Sequence, residues 1–135
     1  MGNKKILEGL SVVKTNVDSG VFNACQEAAI EALDHPEPFC SELRSIYEKR
    51  RDVLVPALSA LGLKCQKPNA TLYVWAKIPD KESSEEFVMK LIREKGIVST
   101  PGSGFGVYGE GFVRFTLCLD LDMLKRVAEM MRSSL

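Results

Sequence analysis

A chain of 135 residues, 45% hydrophobic and 27% charged, has the size and make-up of one folded domain and not of a disordered segment. Eighteen basic and 18 acidic side chains give a formal net charge of zero, so no long-range field draws the chain to nucleic acid. No apolar run approaches the ~20 residues that span a bilayer, and the charges of Met1-Gly2-Asn3-Lys4-Lys5 stand where an export signal needs its apolar stretch.

From Asn3 to Lys14, the residues Ile6, Leu7, Leu10 and Val13 share one helical face, with Asn3 placed to cap the helix. The polar run Lys14-Thr15-Asn16-Val17-Asp18-Ser19-Gly20 predicts a loop. A second helix follows, carried by Val21, Phe22, Cys25, Ala28, Ala29 and Leu33, and His35-Pro36-Glu37-Pro38 ends it, because proline cannot continue the backbone ladder. A long amphipathic helix is expected over residues 39–61, closed by Gly62. Pro56 lies inside it, removes the amide that would bond the Asp52 carbonyl, and predicts a kink costing ~3 kcal/mol unless packing compensates. Within the same helix the basic run Lys49-Arg50-Arg51 is answered by Glu42, Glu48 and Asp52 and reads as a solvated face.

The pattern changes at Thr71, where Thr-Leu-Tyr-Val-Trp-Ala-Lys-Ile is rich in β-formers and reads as a strand before a turn at Pro79-Asp80. Ser83 with Glu86 is a capping-box signature, and Phe87, Val88, Leu91 and Ile92 give the following helix a buried stripe as far as Gly96. A short strand from Ile97 to Thr100 leads into a glycine-rich loop, Pro101 to Gly111. Phe112 to Cys118 is the third strand, and Asp120 caps a last helix that buries Leu124, Val127, Ala128 and Met131. The expected fold is α+β: helices followed by β-α-β-β-α, with a small three-stranded sheet covered on one face by helices. The first two helices have no sheet of their own and read as a remnant of a larger body, which divides the chain into residues 1–36 and 37–135. Their apolar residues Leu10, Val13, Phe22 and Ile30 predict self-association or a swapped arrangement of those helices.

No catalytic constellation is visible. His35 stands beside prolines and serves no triad. The four cysteines, Cys25, Cys40, Cys65 and Cys118, form no C-x-x-C pair, so no metal site is expected, and reduced thiols point to the cytoplasm. Glu85-Glu86 and Asp120/Asp122 fall at helix starts, where they suit the helix dipole. Tyr73 and Trp75 are explained by core or interface packing. The glycine-rich loop fails as a phosphate cradle: it leads into a strand, and the Lys-Ser/Thr of a P-loop is missing. It remains either a mobile turn or a flexible rim beside a ligand site. Arg114 is the sharper feature, a guanidinium among Phe112, Val113, Phe115 and Leu117, where desolvation is expensive without a partner. Alternation puts it on one face with Phe112 and Thr116, away from the helices. Two readings stand: a solvated or ion-paired arginine, or a planar fork for a carboxylate.

Five stretches in one order resemble the C-terminal third of fold-type-I, class I/II aminotransferases, closest to the aspartate and LL-diaminopimelate aminotransferases. They are Lys14 to Phe22 (KTNVDSGVF), Tyr47 to Asp52 (YEKRRD), Ala70 to Ala76 (ATLYVWA), Gly96 to Gly106 (GIVSTPGSGFG) and Gly109 to Phe115 (GEGFVRF). The resemblance implies the small domain of a two-domain, homodimeric enzyme that uses pyridoxal 5'-phosphate to pass an amino group between an amino acid and a 2-oxo acid. It implies that the Schiff-base lysine, in a Ser-Lys motif, and the other cofactor residues lie upstream of Gly2. This chain is therefore expected to supply no catalytic or cofactor-binding residue and to be inactive alone. Arg114 matches the arginine that similar enzymes use to clamp the substrate α-carboxylate. Asn16, Val17, Asp18 and Ser19 resemble a segment that approaches the neighbouring subunit's site. Pro56 departs from the pattern of the linking helix. The rival expectation is a stand-alone α+β module that binds a small ligand or a protein through Arg114 and the Gly102–Gly111 loop, without catalysis.

Overall fold

The computed structural model describes residues 2–79 and 82–132. They divide into two compact units, residues 1–40 and 41–135. The first unit holds helices α1 (Lys4–Val17) and α2 (Asn23–Asp34). Asn3 caps α1, its side chain accepting from the Lys5 amide at 3.0 Å. The helix runs three residues beyond the expected end, because Thr15 and Asn16 bond back to carbonyls one turn earlier (Thr15 Oγ1 to Ser11 O, 3.0 Å; Asn16 Nδ2 to Val12 O, 2.8 Å). No residue of either helix is buried, and Leu10, Val13, Phe22 and Ile30 are all more than half exposed.

Helix α3 (Phe39–Ala60) begins in the first unit and lies mostly in the second. It continues unbroken through Pro56. The buried residues Leu54, Ala57 and Leu58 bracket that proline, so packing holds the turn whose amide is missing. The sheet has four strands, not the three expected: β1 (Lys64–Cys65), β2 (Tyr73–Lys77), β3 (Thr100–Pro101) and β4 (Phe112–Thr116), antiparallel in the order β1-β2-β4-β3. β1 is two residues long with one polar member, too short to show an alternation in sequence. β3 sits at Thr100–Pro101 instead of Ile97–Thr100, because Ile97 turns inward, 6% exposed, and its amide bonds the Leu91 carbonyl at the end of the preceding helix. The turn expected at Pro79-Asp80 lies partly outside the described residues.

Helices α4 (Ser84–Lys95) and α5 (Leu121–Arg132) join α3 over one face of the sheet. The Ser83/Glu86 capping box is fully formed, Gly96 closes α4 in the left-handed conformation (φ 65°), and Asp120 Oδ1 accepts from the Met123 amide at 2.8 Å to start α5. Val74 and Ala76 of β2 and Val113 and Phe115 of β4 point into the core with Leu58, Phe87, Leu91, Leu124 and Met131. Among the described residues no helix is long and apolar enough to cross a membrane.

The basic run on α3 is not a solvated face. Arg50 Nη1 donates to the Leu117 carbonyl at 3.1 Å, and Arg51 Nη1 to the Pro68 carbonyl at 3.1 Å. Each arginine braces the helix to a distant loop, a use that local sequence cannot show. Asp52 completes the brace, paired with Arg51 Nε at 2.9 Å and Lys67 Nζ at 2.8 Å. Arg51 first, then Lys67, pull the Asp52 carboxyl down to about 2. A folded-state value below the unfolded value of ~3.9 stabilises the fold above the latter, and the gain disappears as pH falls towards the former. We therefore expect Asp52→Asn to lower stability at pH 7 and to flatten its decline between pH ~4 and ~2. Urea titrations read by the single tryptophan, Trp75, measure both effects.

Candidate functional site

Strand β4 carries two environments on alternate residues. Val113 and Phe115 are buried among the helices, and Phe112, Arg114 and Thr116 face the other way. The antiparallel register sets Trp75 of β2 and Thr100 of β3 directly opposite Arg114, and Tyr73 opposite Thr116. Tyr73 and Trp75 alternate with the buried Val74 and Ala76, so they lie on the Arg114 face and not in the core. Register between strands far apart in the chain is what brings these side chains together.

The Arg114 guanidinium lies against two aromatic rings. Its Cζ is 4.1 Å from the Tyr73 ring centre and 4.6 Å from that of Phe105. Phe105 also meets Trp75 edge-on at 5.6 Å, and Trp75 stacks on Phe112 at 5.5 Å. Each cation–π contact contributes about 0.5–1 kcal/mol on an exposed surface and about 2 where water is excluded. Ring faces hold a cation without using its N–H donors. Among the described residues, no hydrogen bond or ion pair engages those donors. The arrangement is a half-exposed fork with a set orientation, which is what two-point binding of a carboxylate requires.

Phe105 reaches this place on the glycine-rich loop, which forms two 3-10 turns, Gly102–Phe105 and Val107–Gly109. Gly102 and Gly109 are buried and press backbone to backbone. A Cβ on either would fall inside the contact shell of the other's carbonyl oxygen. Gly106 stands at φ 107°, which a residue with a side chain rarely adopts. Both ends of the loop are tied to the start of α4. Glu110 accepts from the Ser84 amide (2.7 Å), the Ser84 hydroxyl (3.0 Å) and the Gly111 amide (3.0 Å), and Ser84 Oγ accepts from the Ser103 amide (3.2 Å). The Ser84 amide, then that of Gly111, hold the Glu110 carboxyl below its ordinary value. From sequence Tyr73 reads as core or interface packing, and nothing singles out Phe105, Ser84 or Glu110. For Tyr73 the signal was present, in its alternation with Val74.

Asn16, Val17, Asp18 and Ser19 belong to the first unit. Asn16 and Val17 complete α1, not a loop. Asp18 follows as its C-cap, pairing with Lys14 and accepting from the Gly20 amide at 2.8 Å. Lys14 first, then Gly20, lower the Asp18 carboxyl. Among the described residues no three histidine, cysteine or acidic side chains gather where a metal ion could be held.

The family profile described as aminotransferase class I and II matches residues 1–131. An LL-diaminopimelate aminotransferase of Nitratidesulfovibrio vulgaris (strain Miyazaki F) is 51% identical over 93% of this chain and 32% of its own length. One from Maridesulfovibrio salexigens is 49% identical over the same shares. Among solved structures, a probable N-succinyldiaminopimelate aminotransferase from Thermus thermophilus superposes with a TM-score of 0.84 at 30% identity, covering 100% of this chain and 36% of that one. An aminotransferase from Staphylococcus aureus gives 0.81 at 34% identity, over 98% and 35%. The chain thus spans about a third of the length of the curated relatives it matches.

The glycine contact gives a direct check on the loop. Gly109→Ala should force the two backbones apart and destabilise the second unit by ~1–3 kcal/mol, the usual cost of an atom with no room. Thermal unfolding measures the loss. Acrylamide quenching of Trp75 should rise with it, because Phe105 leaves the indole.

Proposed function

Because this chain belongs to the class I and II aminotransferases, we propose that it is the small-domain part of an enzyme that moves an amino group between an amino acid and a 2-oxo acid. Arg114 is the group that holds the substrate α-carboxylate. The observation that carries this reading is the guanidinium held against Tyr73 and Phe105 with its donors uncommitted among the described residues. Two parallel N–H···O bonds set the carboxylate plane and with it the direction of the Cα–H bond, so the clamp binds and orients in one step. Relatives named for LL-diaminopimelate suggest that compound as the amino donor.

The reading assigns pyridoxal 5'-phosphate to residues upstream of this chain. A Schiff base needs a lysine amine in reach of the cofactor aldehyde, and phosphate needs converging donors. Among the described residues the one buried lysine, Lys95, is spent on the Met130 carbonyl at 2.9 Å. The glycine-rich loop opens into β4 and offers phosphate no helix start. Among the described residues none fits the group. In the same reading the exposed apolar residues of α1 and α2 are covered in a homodimer, and Asn16, Val17, Asp18 and Ser19 lie near the partner's site. It also sets the enzyme in the cytoplasm, where Cys25, Cys40, Cys65 and Cys118, all free, stay reduced.

Two outcomes are expected. In the longer aminotransferase that carries this segment, Arg114→Lys keeps the charge and loses the fork. It should lower kcat/KM about 10- to 150-fold, the equivalent of the ~1.5–3 kcal/mol of charged hydrogen bonds. An unchanged kcat/KM removes the clamp. The 135-residue chain alone, mixed with pyridoxal 5'-phosphate, should give no borohydride-reducible adduct at a single lysine and no transamination. A stoichiometric adduct found by mass spectrometry would count against the upstream assignment.

A further inference from the structure

We propose that Glu110 is a positioning residue for Arg114, acting through Ser84 and the loop that carries Phe105. The proposal rests on the carboxylate-clamp reading for its consequence, not for its geometry. Phe105 is 52% exposed and belongs to no part of the core. Its ring meets Arg114 on one side and Trp75 on the other. The core therefore does not fix the ring, and its place depends on the backbone of residues 102–111. That backbone is held by the Gly102/Gly109 contact, the Ser103 amide on Ser84 Oγ, Glu110 on the Ser84 amide and hydroxyl, and the Ile78 amide on the Gly111 carbonyl at 3.0 Å.

Glu110 is the member that joins both ends. Ser84 is fully buried at the first turn of α4, so it is a rigid anchor. Its hydroxyl donates to Glu110 and accepts from Ser103, which closes a circuit from the end of the loop through the helix to its beginning. Ser103 Oγ adds a bond to Glu85 at 3.3 Å. The capping box already serves α4 through Ser83 and Glu86. Helix α4 therefore does not need Glu110 to start, whereas the loop needs it to stay. Without the carboxylate the Ser84 hydroxyl loses the partner that orients it towards Ser103. The loop then shifts, Phe105 leaves the guanidinium, and only Tyr73 restrains the fork. A long, flexible side chain then samples more orientations, and each carboxylate it binds must order it again.

The test uses the 135-residue chain with Glu110→Ala, Glu110→Gln and Ser84→Ala. The Arg114 Nε–H resonance reports ring currents from Tyr73 and Phe105, and Trp75 fluorescence reports the Phe105 contact. 2-Oxoglutarate is the carboxylate probe, followed by the same resonance. In all three variants the Arg114 line should move towards its unstacked position and acrylamide quenching of Trp75 should rise, while far-UV circular dichroism is unchanged. The dissociation constant for 2-oxoglutarate should rise about three- to tenfold in Glu110→Ala, and less in Glu110→Gln. An Arg114 line and quenching that stay at the wild-type values in Glu110→Ala would overturn the proposal, as would loss of the helical signal in all three variants. If Arg114→Lys binds the probe as the wild type does, the clamp reading fails. The Arg114 line and the Trp75 quenching then still decide the positioning role.

Discussion

A guanidinium on a β-sheet must be stabilised by something, and here aromatic rings do it. Tyr73 and Phe105 lie at 4.1 and 4.6 Å from Arg114 Cζ. An internal aspartate or glutamate would have served stability equally well and would have consumed the fork. Rings hold the charge without taking its five N–H groups. The distinction decides whether Arg114 is a structural ion pair or a receptor.

Tyr73 is held by the sheet. Its neighbours Val74 and Ala76 are fully buried, so β2 cannot slip against β4 without turning two core residues to solvent. Phe105 is held by a loop, which is the less secure arrangement, and the loop carries compensating devices. Two glycines in backbone contact allow the chain to double back closely, and a buried serine receives both ends. The braces on α3 do a different task. Arg50 and Arg51 reach carbonyls just after β4 and before β2, and so tie the long helix to the sheet on the side away from Arg114.

What could be read from the chain alone follows the range of the interactions. Caps and alternation act over two to four residues, and Asn3, the Ser83/Glu86 box, Gly96, Asp120 and the two faces of β4 were all legible. The two-residue β1 was not, because Lys64-Cys65 is defined only by its pairing with Ala76 and Lys77. Arg50 and Arg51 read as solvated because their acceptors lie 67 and 17 residues away. Glu110 lies 26 residues from Ser84, and nothing in the pattern around either one points to the other. Arg114 was visible as an oddity, a charge between β-formers, but its contact with Tyr73 depended on register and that with Phe105 on the loop. The family resemblance supplied the direction that the pattern left open.

The groups that set Arg114 all fall between Tyr73 and Glu110, within the second unit. None comes from α1 or α2. The fork therefore takes its geometry from local packing, before any residue outside this segment is considered. In the proposed enzyme this separates two tasks that are often treated together. In that proposal, holding the acid end of the substrate needs a positioned cation, the task given to Arg114. Making and breaking bonds at the amine needs a lysine and a cofactor, which no group among the described residues fits. A mutation in the Glu110–Ser84–Phe105 circuit should accordingly affect how any α-carboxylate is held, whatever its side chain. Selectivity among amino acids must rest on groups that meet the other end of the substrate.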